Sequence, residues 1–140
     1  MNARFFLDTN IFVYSFDLKA GSKARRAMQL IREGVTTRKG VVSYQVVQEF
    51  FNVALKRFDQ PMLSNEAELY LSTVFRPLLV VHSSEALLEQ ALRLYEKHRL
   101  AWYDALIIAG ALESECSILY SEDLQHRQRF GELQIKNPFL

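Results

Sequence analysis

Brief apolar runs alternate with stretches of helical periodicity along the whole of this chain, and few architectures accommodate both patterns at once. Phe5-Phe6-Leu7, Val41-Val42 after Gly40, Leu78-Leu79-Val80-Val81 and Ser117-Ile118-Leu119-Tyr120 read as buried strands, with Leu133-Gln134-Ile135 a short final one. Between the first two, Asp8-Thr9-Asn10 offers cap residues for a short helix carrying Ile11, Phe12 and Tyr14. From Ser22, the residues Ala24, Ala27, Met28, Leu30 and Ile31 share one helical face, and Gly34 is expected to close that helix through a left-handed cap. Ser43 is placed to cap a third helix, in which Val46, Val47, Phe50, Val53, Ala54 and Phe58 recur at three and four residues before Pro61 ends the unit. Asn65 and Glu68 predict a capping box for a helix that Pro77 should break. Ser83 or Ser84 caps the next, through Leu87, Leu88, Ala91, Leu92 and Tyr95, and a further helix runs from about Trp102 to Glu115. Strands that alternate with helices predict an α/β fold with a mostly parallel central sheet flanked by helices on both faces. With no repeat, low-complexity stretch or linker, the expectation is a single three-layer domain over residues 1–140.

A chain of 140 residues is long enough to bury roughly two thirds of the surface it would expose unfolded. Its apolar runs fall well short of the ~20 residues that span a bilayer, so a soluble protein with no membrane segment is expected. The start, Met1-Asn2-Ala3-Arg4-Phe5, has neither an apolar leader core nor a small-residue cleavage site, which predicts a cytoplasmic location. Cys116 is the single cysteine, so no internal disulfide is available, and it reads as part of a helical apolar pattern. Seventeen basic against sixteen acidic residues give a net charge of +1, too even a balance to indicate nucleic-acid binding alone. Clustering is more informative: Arg25-Arg26, Arg38-Lys39, Lys56-Arg57, Lys97-His98-Arg99 and Arg127-Gln128-Arg129 are candidate phosphate contacts, or else solvated helix ends.

Four acids fall where strand ends and helix starts meet: Asp8, Glu49, Asp104 and Asp123. In a parallel sheet with returning helices those positions share one edge, the edge at which open α/β sheets bind ligands. Carboxylates packed together repel one another, and holding a hard divalent cation through oxygen ligands is the usual reason to gather them. Taken singly, Asp8 is as well explained as a helix cap, Asp104 as a first-turn acid favoured by the helix dipole, and Asp123 as another helix start. Glu49 resists such an explanation. It lies at the margin of a buried stripe, with Gln45, Val46, Asn52 and Val53 one turn away, and no basic residue stands three or four positions from it to act as its partner. Glu122 competes with Asp123 to face the site, and Asp123 is favoured.

Other chemistries find less support. His82, His98 and His126 lack metal-ligand spacing and read as surface residues, against a zinc site. Thr9 and Ser121 have no evident triad partners, and five glycines form no phosphate-cradling loop. Tyr44, Trp102 and Tyr103 fit core or rim positions better than base-stacking platforms.

Leu-Asp-Thr-Asn from Leu7, Gln-Glu-Phe from Gln48, Tyr-Asp-Ala-Leu-Ile-Ile-Ala from Tyr103 and Leu-Tyr-Ser-Glu-Asp-Leu-Gln-His from Leu119 together resemble the PIN-domain family, most of all its VapC-type toxins from bacterial toxin–antitoxin pairs. The resemblance extends from Phe5 to Phe139. It implies that Asp8, Glu49, Asp104 and Asp123 bind the metal of a Mg²⁺- or Mn²⁺-dependent ribonuclease, with Thr9 and Asn10 organising the first acid and Ser121 the last. It also implies a homodimer, RNA as substrate, and a cognate antitoxin protein whose C-terminal segment wraps the toxin and holds it inactive. Arg127 stands where a glycine commonly follows the Gln-His pair, and Ala101 where a serine is common.

The expected reaction is hydrolysis of a phosphodiester by water that one or two divalent ions activate and orient, leaving a 5′-phosphate and a 3′-hydroxyl. Since water attacks, the RNA 2′-hydroxyl is not required, and the preference for RNA follows from the resemblance alone. A phosphotransfer receiver-like domain would also gather acids at strand ends, but it needs a phosphoacceptor Asp mid-chain and a Lys after a late strand, neither of which is evident. A catalytically inactive RNA-binding or scaffold module on the same fold is the third reading, and the complete set of acids argues against it.

Overall fold

In the computed structural model, residues 3–140 are described. Met1 and Asn2, part of the N-terminal stretch that bears on a leader, lie outside the described residues. Phe5–Leu7 forms β1 and leads through Asp8 into α1 (Thr9–Ser15). After a short 3-10 turn, α2 (Ser22–Thr37), β2 (Gly40–Ser43) and α3 (Tyr44–Ala54) follow. The chain then runs through α4 (Ser64–Tyr70), a π-helical turn over Leu71–Phe75, α5 (Arg76–Leu78), β3 (Leu79–Val81), α6 (Glu85–His98) and α7 (Trp102–Glu113). It ends with β4 (Ile118–Tyr120), β5 (Arg129–Phe130) and β6 (Leu133–Lys136).

The six strands form one sheet in the order β3-β2-β1-β4-β6-β5, parallel throughout except for the terminal β5–β6 hairpin. Helices cover both faces. Successive β1 side chains point to opposite sides: Phe5 reaches towards Gly34 of α2, whereas Phe6 reaches towards Gly110 of α7. All three β1 residues are buried, which is why the strand reads as a continuous apolar run instead of an alternating one. The expected α/β architecture is therefore the observed one.

Side chains of α1, α3 and the α4 segment meet in a cluster of rings that fixes α3 against the sheet. Phe12 and Phe75 lie with centroids 4.9 Å apart, Phe50 and Phe75 5.4 Å apart, and Phe50 stacks on Tyr70 at 5.2 Å. Phe12, Phe50 and Phe75 are fully buried, and such pairs add about 0.5–1.5 kcal/mol each beyond area burial. This is the packing that holds the helix carrying Glu49.

Several local expectations are corrected. Helix α2 runs through Gly34 to Thr37, and its left-handed closing residue is Arg38, with φ 61°. Gly34 serves close approach: a β-carbon there would lie 3.1 Å from the Gly40 Cα, and one on Gly40 would lie 2.6 Å from the Gly34 Cα. The cap before α4 is made two residues earlier than the Asn65–Glu68 pair, where Glu66 Oε1 accepts a hydrogen bond from the Leu63 N–H at 2.8 Å. Pro77 does not break its helix, because the preceding π turn carries the chain into α5, whose first turn needs no N–H donor from proline. Accordingly β3 begins at Leu79, and Val80 is exposed. Ser43 and Ser84 cap as expected, accepting from the N–H groups of Val46 and Leu87. Asp123 starts no helix; it lies in the loop after β4. Cys116 is buried beyond the end of α7, beside the Ser114 hydroxyl at 3.3 Å. His98 and His126 are half-buried instead of on the surface, the first packed edge-on against Phe130 and the second accepting from the Asn137 N–H. Among the described residues no helix is long and apolar enough to cross a membrane.

Candidate active site

The C-terminal ends of β1 and β4 are neighbours in register, Leu7 beside Tyr120, and the Asp8 N–H donates to the Tyr120 carbonyl at 3.1 Å. Asp8 and Ser121 therefore leave the sheet side by side. The Ser121 hydroxyl, fully buried, donates to Asp8 Oδ2 at 2.8 Å, while the Thr9 N–H donates to Oδ1 at 2.7 Å. Asp8 thus caps α1 and faces the strand edge at once, so its cap role and its candidate site role coincide. Burial pushes its carboxyl up to about 6; the two hydrogen bonds oppose that rise, and repulsion from Glu49 and Asp123 adds to it.

Glu49 reaches the same place from α3. Its Oε1 accepts from the Thr9 hydroxyl at 2.7 Å and its Oε2 from the Gln45 side-chain amide at 3.3 Å, so the partner that a half-buried carboxylate needs comes from α1 and from its own helix. Gln45 also donates to the carbonyl of Tyr103, which ties α3 to the start of α7. There Asp104 stands in the first turn. Burial raises its pKa, with repulsion from Asp123 and then Glu49 adding to the rise. Asp123 Oδ2 accepts from the Asn10 side-chain amide at 2.7 Å.

All four acids line one cleft of about 480 Å³, together with Thr9, Asn10, Gln45, Asn52, Arg57 and Tyr103. The carboxylates of Asp8, Glu49 and Asp123 accept from neutral donors, and among the described residues no three acidic, histidine or cysteine groups are gathered tightly enough to coordinate one ion as they stand. Glu122 is elsewhere. It accepts from the Tyr14 hydroxyl at 2.5 Å and from the Lys23 ammonium at 2.6 Å, and those bonds, Lys23 first, hold its carboxyl below the usual range. Of the two neighbours, Asp123 is the one that lines the cleft. Gln45 and Asn52 carry no motif that marks them as site residues in the sequence, and their spacing from Glu49 by four and three residues is the signal that could have found them; Arg57, eight residues from Glu49, belongs to one of the basic pairs offered as phosphate contacts.

The family profile described as the PIN domain matches residues 5–130, and the chain belongs to that family. No curated protein matches the sequence. Among solved structures it is similar to a toxin–antitoxin complex from Klebsiella pneumoniae, at 19% identity over 95% of this chain and 96% of that one, with a TM-score of 0.68. It is also similar to VapC20 from Mycobacterium tuberculosis, a sarcin–ricin-loop-cleaving toxin, at 22% identity over 85% and 89% of the two chains, with a TM-score of 0.61. FitAcB from Neisseria gonorrhoeae gives 19% identity over 96% and 98%, with a TM-score of 0.64. Identities this low speak for a shared fold.

Proposed function

We propose that this protein is a divalent-metal-dependent endoribonuclease, the VapC-type toxin of a toxin–antitoxin pair, acting on RNA in the cytoplasm as a homodimer and held in check by a cognate antitoxin. The observation that carries the reading is the convergence of Asp8, Glu49, Asp104 and Asp123, from four separate segments, on one cleft. The toxin–antitoxin complexes among the structural neighbours support the partner, and the RNA-cleaving neighbour supports the substrate class.

The donor set suits Mg²⁺ or Mn²⁺. Every ionisable ligand candidate in the cleft is a carboxylate, with no histidine or cysteine among the lining residues, which is the hard oxygen chemistry these ions favour. Asp8, Glu49, Asp104 and Asp123 would hold the ion. A bound ion supplies Lewis acidity towards the phosphodiester and makes water a stronger nucleophile. The chain's own residues do the rest: Ser121 and Thr9 fix the Asp8 carboxylate, Thr9 and Gln45 orient Glu49, and Asn10 steadies Asp123. Tyr14 and Lys23 keep Glu122 out of the cleft.

A second reading, an RNA-binding module that does not cleave, draws on the spacing of the acids, no three of which, among the described residues, are gathered tightly enough to hold one ion as they stand. Purified protein incubated with single-stranded RNA and run on a gel, with Mn²⁺ or with chelator, separates the two. Cleavage that appears with Mn²⁺ and disappears with chelator is expected, yielding 5′-phosphate and 3′-hydroxyl ends. RNA left intact at every Mn²⁺ concentration would overturn the nuclease reading.

A further inference from the structure

We propose that Arg57 is the substrate-phosphate anchor of this cleft, gripping a backbone phosphate next to the scissile one; the inference rests on the nuclease reading above and names a residue that reading leaves without a role. Among the described residues that line the acid cleft, Arg57 is the sole cation. It is exposed, and it makes no ion pair or side-chain hydrogen bond, either with the four acids or with any other described residue. A guanidinium beside four carboxylates that neutralises none of them is available to an anion from outside.

Helix geometry fixes where that anion sits. Gln45, Glu49, Val53 and Arg57 recur every four residues and all line the cleft, so they form one stripe along α3. The stripe survives beyond the last helical residue, because the Arg57 N–H still donates to the Val53 carbonyl at 2.7 Å. Eight residues at 1.5 Å each place the Arg57 backbone about 12 Å along the axis from Glu49. Arg57 therefore leaves the stripe about two turns beyond Glu49, and its side chain lines the same cleft. Its neighbour Lys56 faces a different surface, the apolar groove lined by Val47, Phe51, Leu55, Leu71 and Leu79. Of the Lys56-Arg57 pair, Arg57 alone faces the cleft. Arginine is well matched to a phosphate, because its planar fork meets two of the oxygens through parallel hydrogen bonds. Four carboxylates repel an approaching polyanion, and a cation at the mouth of their cleft offsets that repulsion where the strand enters.

An anchor on a neighbouring phosphate contributes equally to ground state and transition state, so its removal should raise KM and leave kcat almost unchanged. The test compares wild type, R57A and R57K for cleavage of a labelled single-stranded RNA in Mn²⁺, and for binding of the same RNA by anisotropy in Ca²⁺ over a salt series. For R57A a KM increase of about tenfold is expected from loss of one charged hydrogen-bonded contact. The slope of log affinity against log salt should shrink by about 0.7, one single-strand phosphate contact. R57K should keep the slope and recover part of the KM. The Mn²⁺-induced rise in melting temperature should be the same in all three proteins. Unchanged KM and salt slope in R57A would overturn the proposal and leave the guanidinium to a protein carboxylate; a loss carried by kcat alone would overturn it in favour of a contact at the scissile phosphate. Failure of the wild type to cleave RNA would instead remove the nuclease reading, and the binding slope, which needs no cleavage, would still decide whether Arg57 holds a phosphate.

Discussion

Asp8 illustrates how one side chain answers two demands. Its oxygens accept from Thr9 and Ser121, as a helix cap and a strand-end link require, yet the carboxyl rises to about 6 because burial and two neighbouring acids outweigh those bonds. Asparagine at this position keeps an acceptor for the Thr9 N–H, and the Ser121 hydroxyl can reverse to accept from the new amide. Asp8→Asn and Asp104→Asn are thus expected to fold with unchanged circular dichroism while RNA cleavage in Mn²⁺ falls by more than about a hundredfold, the loss of several kcal/mol of transition-state stabilisation. Full activity in both variants, measured on the gel, would contradict the assigned roles. The acids were legible in the sequence because each follows an apolar strand or sits at the start or margin of a helix. The Tyr14–Lys23–Glu122 contact was not, since it joins residues up to 108 positions apart, where periodicity carries no signal; of Arg57 the sequence offered only the basic pair Lys56-Arg57, without telling which member faces the cleft.

At the level of elements, periodicity and caps yield the right order of strands and helices, and the errors are those of packing. Gly34 looked like a helix terminator because glycine favours left-handed closure, whereas its role depends on Gly40, a residue of the adjacent strand it touches. No local pattern reveals that contact. Gly40→Ala would push a β-carbon to 2.6 Å from the Gly34 Cα, an overlap with rigid backbone on both sides, so a destabilisation of about 1–3 kcal/mol is expected. Thermal unfolding would register it as a lower melting temperature, and an unaltered one would mean that α2 and β2 can part without cost. The π turn before Pro77 and the two-residue β5 escaped the sequence for a related reason. The first breaks helical period, and the second is too short to have one.

For the molecule as a whole, gathering four carboxylates at one sheet edge trades stability for cation affinity. The raised pKa of Asp8 gives the sign. A carboxyl titrating near 3.8 unfolded and near 6 folded stabilises the native state at pH below both values, and that contribution disappears as pH rises through about 6. Asp104, shifted in the same direction, adds to it. Protein stripped of metal by chelator should therefore melt higher at about pH 5 than at about pH 7.5, Asp8→Asn should flatten that dependence, and excess Mn²⁺ should raise the melting temperature most at the higher pH. A pH profile identical in wild type and Asp8→Asn would detach the repulsion from this site. The central claim, that the four acids form one cation site, is tested most directly by crystals grown with millimolar Mn²⁺ and measured at the manganese absorption edge. An anomalous peak in the cleft within coordination distance of Asp8, Glu49, Asp104 and Asp123 oxygens is predicted; a cleft with no peak, or manganese bound only elsewhere, would contradict it.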